Sequence, residues 1–321
     1  MSPPSGEESR RRLPKSKTGC RRCKKRKIKV TSSFVSTQPP NTDRNKPLAR
    51  NFWRINIPQM GFETNYILRG ILSLSALHLA RFRPERKDFY VAQAILHHNA
   101  ALATASPLYP NINGENCVPL FLFSTINLFF VFAKPKDPTD FLLASNHAVP
   151  DWLYLFRGVR AVLHAEHDML HASSISGMFE TGVQTHRIWV AHTFENEAFR
   201  ELEANIVACV PEDSPKLEAL LDALLSLKRS FYLVYESGQT DENKARGVFI
   251  WLFAIKTEYI ELVGDADSEA LCILAFFCIL LRRLDFNWWI EGWGLHLMGR
   301  IYAMLNVNYR LVKIRRSVEL A

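Results

Sequence analysis

The last 106 residues, from Lys216 onward, contain no proline, and apolar side chains recur there every three or four positions. A stretch free of that breaker and built on a 3.6-residue period has helix as its natural conformation. Ser214-Pro215 opens it well, since the hydroxyl can cap the first turn and proline is tolerated at the first helical position. Leu217, Leu220, Leu221, Leu224 and Leu225 then share one stripe, with Glu218, Asp222, Lys228 and Arg229 off it. The spacing predicts further helices over Gly247 to Val263, from an Asp267/Ser268 cap through Leu284, and over Asn287 to Leu305.

The same period governs the chain upstream. Tyr66 to Phe82 is apolar nearly all round and reads as a buried helix stopped by Pro84. Helices follow over Pro84 to Ala105, over Glu115 to Ala133 with Pro119 in the first turn, and over Trp152 to His171. A weaker one spans Glu195 to Cys209. Alternating Val/Ile/Thr runs, the raw material of sheet, are nearly absent. The expected class is therefore all-α, a body of about eight to ten helices by ordinary helix lengths.

The 321 residues are 48% hydrophobic, which is enough to build a core and excludes wholesale disorder. The longest unbroken apolar run, Ala270 to Leu281, falls short of the roughly 18–20 residues of a membrane span. MSPPSGEESRRRLPKSK lacks the apolar core of a secretory signal. Cys117, Cys209, Cys272 and Cys278 sit in apolar helical patterns, where free thiols act as small hydrophobes. A reducing compartment, cytosol or nucleus, is expected.

Charge is distributed unevenly. Residues 1–30 hold twelve Lys and Arg against Glu7 and Glu8, a charge of +10, so the formal +8 of the whole chain leaves −2 for the rest. A cationic head on a near-neutral body points to a polyanion partner for the head, or to a nuclear-import signal, which KKRKIK could equally supply. Residues 1–17 read as a disordered basic tail, 18–30 as a basic helix candidate and 31–50 as a linker rich in Ser, Thr, Asn and Pro. The folded body is expected over 51–321.

Within the head, TGCRRCKKRKIK places Cys20 and Cys23 at C-x2-C spacing, two thiolates on one turn able to grip a soft cation. The string resembles the opening of the DNA-binding module of the fungal binuclear zinc-cluster transcription factors. In that family six thiolates hold two zinc ions, and a short basic helix reaches the major groove. The resemblance implies that Cys20 and Cys23 are the first two metal ligands. It also implies that Arg21, Arg22, Lys24, Lys25, Arg26, Lys27 and Lys29 meet DNA. The third ligand should fall seven residues after Cys23, at Val30, and no cysteine follows until Cys117. Small zinc domains draw their folding free energy from the metal, so a two-thiolate remnant is expected to hold zinc poorly and to bind DNA chiefly by charge.

Three body segments resemble the regulatory domain of the sterol-uptake-control subgroup of the same factors. They are FWRINIPQMGFETNYILRGILSLSALHLA (Phe52 to Ala80), ENCVPLFLFSTINLFFVFA (Glu115 to Ala133) and ALCILAFFCILLRRLDFNWWIEGWGLHLM (Ala270 to Met298). The resemblance implies an all-helical domain that dimerises and encloses an apolar pocket for a sterol. Read as residues alone, LCILAFFCILL is first of all a core helix. Trp288, Trp289 and Trp293, expected with Glu291 on one helix, offer broad apolar faces with one N–H each, suited to a ligand wall or a subunit contact. At least one of them is expected simply to pack the core.

His164, His167, Asp168 and His171 fall on one helical face beside Glu166, a spacing that could bind zinc or iron. No partner helix carries a matching motif, and a solvated face explains the string as well. With no nucleophile motif and no phosphate loop, an enzyme is not expected. The expectation is a nuclear, DNA-binding transcription regulator of the RNA polymerase II type, with a helical effector domain for a sterol-like apolar ligand. The cytoplasm is its alternative location when ligand-bound, and a homodimer its expected assembly. The alternative is a ligand-binding or dimerisation module without sequence-specific DNA binding, because the zinc cluster is incomplete.

Overall fold

A computed structural model describes residues 52–136, 173, 176–238 and 241–305. Among these, eleven α-helices and no strand are present, which bears out the all-α class. The basic tail, the cysteine pair, the linker and the expected helix Trp152 to His171 lie outside the described residues.

The first four helices build one core. A π-turn over Phe52–Asn56 leads into α1 (Ile57–Glu63), α2 (Asn65–Phe82), α3 (Lys87–Ala105) and α4 (Cys117–Ala133). Helix α2 ends as its apolar pattern does. The Arg83 N–H closes on the Leu79 carbonyl, and Pro84 begins a short 3-10 turn that reverses the chain into α3. Buried Ser73 and Ser75 donate their hydroxyls to Gly70 and Ile71 carbonyls, at 2.7 Å each, so neither costs an unpaired group.

Helix α4 serves two cores at once. Leu120, Phe123, Ile126 and Phe130 pack with α2 and α3, while Leu128, Val131 and Phe132 enter the second core. After α5 (Ser176–Ala191), which packs on the outside of the next helices, that core is made by α6 (Glu197–Cys209), α7 (Pro215–Tyr235), α8 (Asp241–Ala254), α9 (Thr257–Gly264), α10 (Ser268–Arg282) and α11 (Trp293–Met304). Every residue of α10 from Glu269 to Leu281 is buried, which explains an apolar run with no polar face. Large side chains with a polar tip tie the helices together. Trp251 donates to the Ala223 carbonyl (3.0 Å), Tyr259 to Ala270 (3.0 Å), and Trp189 to the Ser230 hydroxyl (3.0 Å).

Several expectations are corrected by the tertiary context. The segment Gly247 to Val263 is two helices, broken at Ile255-Lys256, where Lys256 is extended. The break lets Tyr259 reach α10 while Trp251 stays on α7, and neither Gly nor Pro announced it. Leu225 is exposed, and the buried stripe of α7 continues through Leu227 and Phe231 instead. Cys209, at the last turn of α6, is exposed, whereas Cys117, Cys272 and Cys278 are buried as expected. Burial pushes the Cys278 thiol far above its usual range, against the help of a backbone hydrogen bond.

Lys228, placed off the apolar stripe of α7 by its charge, has a side chain only 7% exposed, with Nζ 2.9 Å from Glu195 and 2.7 Å from Glu203. Burial alone lowers a lysine pKa, but the two carboxylates outweigh it and hold this ammonium above its ordinary value. Both glutamates are half exposed and stay hydrated if the lysine is removed. Lys228→Met is therefore expected to cost about 1 kcal/mol or less. Joint replacement of Glu195 and Glu203 by alanine strands a buried charge and is expected to cost about 3 kcal/mol. Urea unfolding of the two variants measures the contrast, and equal losses would sink this reading.

Candidate functional site

The two cores meet along an aromatic seam, and the tryptophans singled out in the sequence line it. They do not share a helix. After α10 the chain makes consecutive tight turns from Arg283 to Glu291 before α11 begins at Trp293. Gly292 forces the change. Its φ of 77° lies in the left-handed region, and its N–H is held by the Asp285 carboxylate at 2.9 Å. Trp288 and Trp289 thus sit on a turn and Trp293 on the helix after it.

Trp293 is the core member. It is fully buried, donates its N–H to the Phe132 carbonyl at 2.7 Å, and meets the Phe132 ring edge-on at 5.7 Å. Replacing it by phenylalanine removes that buried bond, an expected loss of about 1 kcal/mol in urea unfolding. Trp289 is partly buried in a nest of rings, with Phe129 at 4.7 Å, Phe249 at 5.9 Å and Phe132 at 6.1 Å. Trp53, from the opening turn, closes on Phe129 at 5.6 Å.

Trp288 packs on the first core and meets His78 of α2 edge-on, with ring centroids 4.9 Å apart. His78 also touches Phe82, at 4.6 Å. The Trp288 Nε1 and the His78 Nδ1 are both buried without a hydrogen-bond partner. Burial, and then the charge of Arg81, lowers the His78 pKa, so the imidazole is neutral near pH 7. One turn further along α2, Arg81 pairs with Glu291. Lys136 donates to the Glu291 carbonyl at 2.7 Å and lies over the Trp293 ring. Burial lowers the Lys136 pKa against the pull of Glu291 and Asp285. The turn carrying Trp288 and Trp289 is therefore strapped to both cores.

Of the residues picked from the sequence, the structure brings Trp288, Trp289 and Trp293 to this seam. Cys20, Cys23, Arg21, Arg22, Lys24, Lys25, Arg26, Lys27 and Lys29 lie outside the described residues, as do His164, His167, Asp168 and His171. His78, Phe129 and Phe132 escaped sequence reasoning. The only signal was a lone histidine inside the apolar string LSALHLA. Among the described residues no group of three His, Cys, Asp or Glu could hold a metal, and no helix is long and apolar enough to cross a membrane. The donor set does not fit a binuclear zinc cluster. Cys20 and Cys23 supply two thiolates, Val30 stands where the third would fall, and Cys117 is enclosed in α4.

The described residues form an all-helical body with two cores and a ring-lined seam between them. The chain is 26% identical over 263 residues to a Zn(2)-C6 fungal-type transcription factor of Gibberella zeae, covering 77% of this chain and 51% of that one. It is 22% identical over 264 residues to Sterol uptake control protein 2 of Candida albicans, covering 75% of this chain and 35% of that one. These relatives bear out the resemblance read from the cysteine pair and the three body segments. The chain spans about half the length of the first and about a third of the second. Neither relative is named as an enzyme. No family model matches the chain.

Proposed function

We propose that this chain is a nuclear transcription regulator of the RNA polymerase II type. In this reading its basic arm meets DNA, and its helical body responds to a sterol-like apolar ligand held at the seam of Trp288, Trp289 and Trp293. The observation that carries the proposal is the alignment of about three quarters of the chain with two relatives whose names are those of a transcription factor and of a sterol uptake control protein. The charge split supports it, since the head alone has the excess cations that a polyanion needs. The ring-lined seam supports the ligand, because flat apolar walls with few polar groups suit a rigid hydrocarbon skeleton. A homodimer is the assembly this reading favours.

The arm works by charge. Arg21, Arg22, Lys24, Lys25, Arg26, Lys27 and Lys29 are seven cations. If all engage phosphates, log K for duplex DNA falls with log salt at a slope of about −6. Phosphate contacts carry little sequence information, so discrimination between duplexes is expected to be weak. A gel-shift salt series with the full chain and two unrelated duplexes tests this. Similar binding to both near ~50 mM salt, lost in the variant with all seven replaced by alanine, is the expected result. No binding at that salt overturns the DNA reading. It then favours a second one, to which Val30 already points, of a ligand-binding or dimerisation module without competent sequence-specific DNA binding.

A further inference from the structure

We infer that the basic head of this chain, residues 10–29, docks on the outer face of α7 and α9 when no polyanion is present, so that the body and DNA compete for one segment. On the reading of the head as a DNA-binding arm, on which this rests, such docking is what holds the arm back. Charge is divided between the two cores as unevenly as between head and body. Residues 52–136 hold eight Lys and Arg against four carboxylates, whereas residues 195–269 hold sixteen carboxylates against seven Lys and Arg. Three helices gather much of that excess at one end of the second core. Lys256 lies 3.1 Å from Glu218 and 3.9 Å from Asp222 of α7, and Glu258 of α9 acts on the same ammonium. Lys216 pairs with Asp267 and Glu269 where α10 begins. Each of these cations is already shared between carboxylates, and the exposed Glu212, Asp213 and Glu261 bring further negative charge.

The chemistry of the face selects its occupant. Glu218, Asp222 and Leu225 run along one side of α7 at i, i+4 and i+7, and Leu225 is left 40% exposed there. A single metal ion does not fit, because among the described residues no three carboxylates converge closely enough to hold one. An extended polycation does, since its charges are spread out as the carboxylates are. All twelve Lys and Arg of the head fall within residues 10–29, a stretch without one acidic residue. Their aliphatic stems cover apolar surface such as Leu225 while the charged ends meet carboxylates. Residues 30–50 can span up to about 70 Å, against roughly 45 Å across a body of this size. A tether of that kind holds the head at an effective concentration of about 1 mM, so a Kd of about 0.1 mM already favours the docked state tenfold. Duplex DNA carries one charge per ~1.7 Å, more densely than this face, and displaces it.

Carbodiimide coupling, which joins a lysine amine to a carboxylate in contact with it, tests the docking on the full chain without DNA. Mass spectrometry of the monomeric product is expected to find lysines of the head, Lys24 to Lys29 above all, joined to Glu212, Glu218, Glu258 or Glu261. Those links should vanish at ~0.5 M salt, where charge is screened within a few ångströms, and with excess duplex DNA. Links that fall mainly on other carboxylates, or only between two copies, overturn the inference. The competition is tested by gel shift at ~50 mM salt with a variant carrying Glu212→Gln, Asp213→Asn, Glu258→Gln and Glu261→Gln. It is expected to bind duplex DNA about tenfold more tightly than the wild type, because the docked fraction no longer reduces the apparent affinity. A control with Glu63→Gln, Glu85→Gln, Asp88→Asn and Glu115→Gln makes the same change in net charge on the first core, and should gain much less. Equal gains, or none, overturn the competition. Absence of DNA binding by every variant overturns the DNA reading, and the coupling map then decides the docking by itself. The map also decides it should the face variant fail to fold.

Discussion

Gly294→Val is expected to unfold the second core, and Gly294→Ala to weaken it by about 3 kcal/mol. Gly294 is the second residue of α11, where that helix crosses α10 at its closest. A Cβ built there lies 2.6 Å from the Arg282 Cγ and 2.6 Å from the Cys278 carbonyl oxygen. The arginine can swing aside, but the carbonyl belongs to a helix buried on every side and cannot. The helices must part instead. Parting them draws Trp293 from the Phe132 carbonyl, so the seam loosens with the core. Gly299→Ala is the control, because nothing lies within 4 Å of its Cβ, and a stabilisation of up to about 1 kcal/mol is expected from helix propensity. Urea midpoints for the two alanine variants measure the difference. If Gly294→Ala stays within about 0.5 kcal/mol of the wild type, the close crossing is wrong.

The second large expected effect is acid sensitivity of the first core through His98. This side chain, on α3, is 8% exposed and stacks on Phe130 with centroids 3.7 Å apart. Burial, helped by the charge of Lys134, lowers its pKa from 6.5 to about 4. Between those values the unfolded chain binds a proton that the folded chain does not, so stability rises with pH in that window. The contribution is fully present above about pH 6.5 and is lost as pH falls through about 4, where it amounts to about 3 kcal/mol. His78 and His97 are lowered by burial as well, and add in the same direction. His98→Phe keeps the stack and removes the proton. Urea unfolding at pH 7 and pH 4 should show a clearly smaller acid loss for this variant. An unchanged loss would place the sensitivity elsewhere.

Much of the fold was legible because its elements announce themselves locally. Ser214-Pro215 begins α7 as read, with the Ser214 hydroxyl accepting from the Lys216 N–H at 3.2 Å. Pro84 closes α2, Asp267 caps α10, and Pro119 sits harmlessly in the first turn of α4. The break at Lys256 was not legible, because no residue there has a conformational preference strong enough to show. Nor was the depth of Lys228. Its charge argued for solvent, and only the approach of Glu203 from α6 and of Glu195 from the segment before it makes burial tolerable.

The seam divides in the same way. That three tryptophans within six positions would line something could be read from their chemistry. Which of them packs and which faces an open polar partner could not. Gly292 hides the turn that separates them, since glycine is compatible with a helix as well as with a left-handed φ.

The sequence by itself determined the helical class, the caps and stops, the separation of a cationic head from a neutral body, and the likeness to zinc-cluster regulators. Each of these depends on neighbours within a turn or on composition, and such terms act before the chain is folded. The tertiary structure alone decided that α4 would join two cores, that Trp293 would be satisfied and Trp288 not, and that His78 would be the residue it faces. His78 and Trp288 are 210 positions apart in the chain. Pairing across that distance is set by how whole helices pack, and no local pattern encodes it.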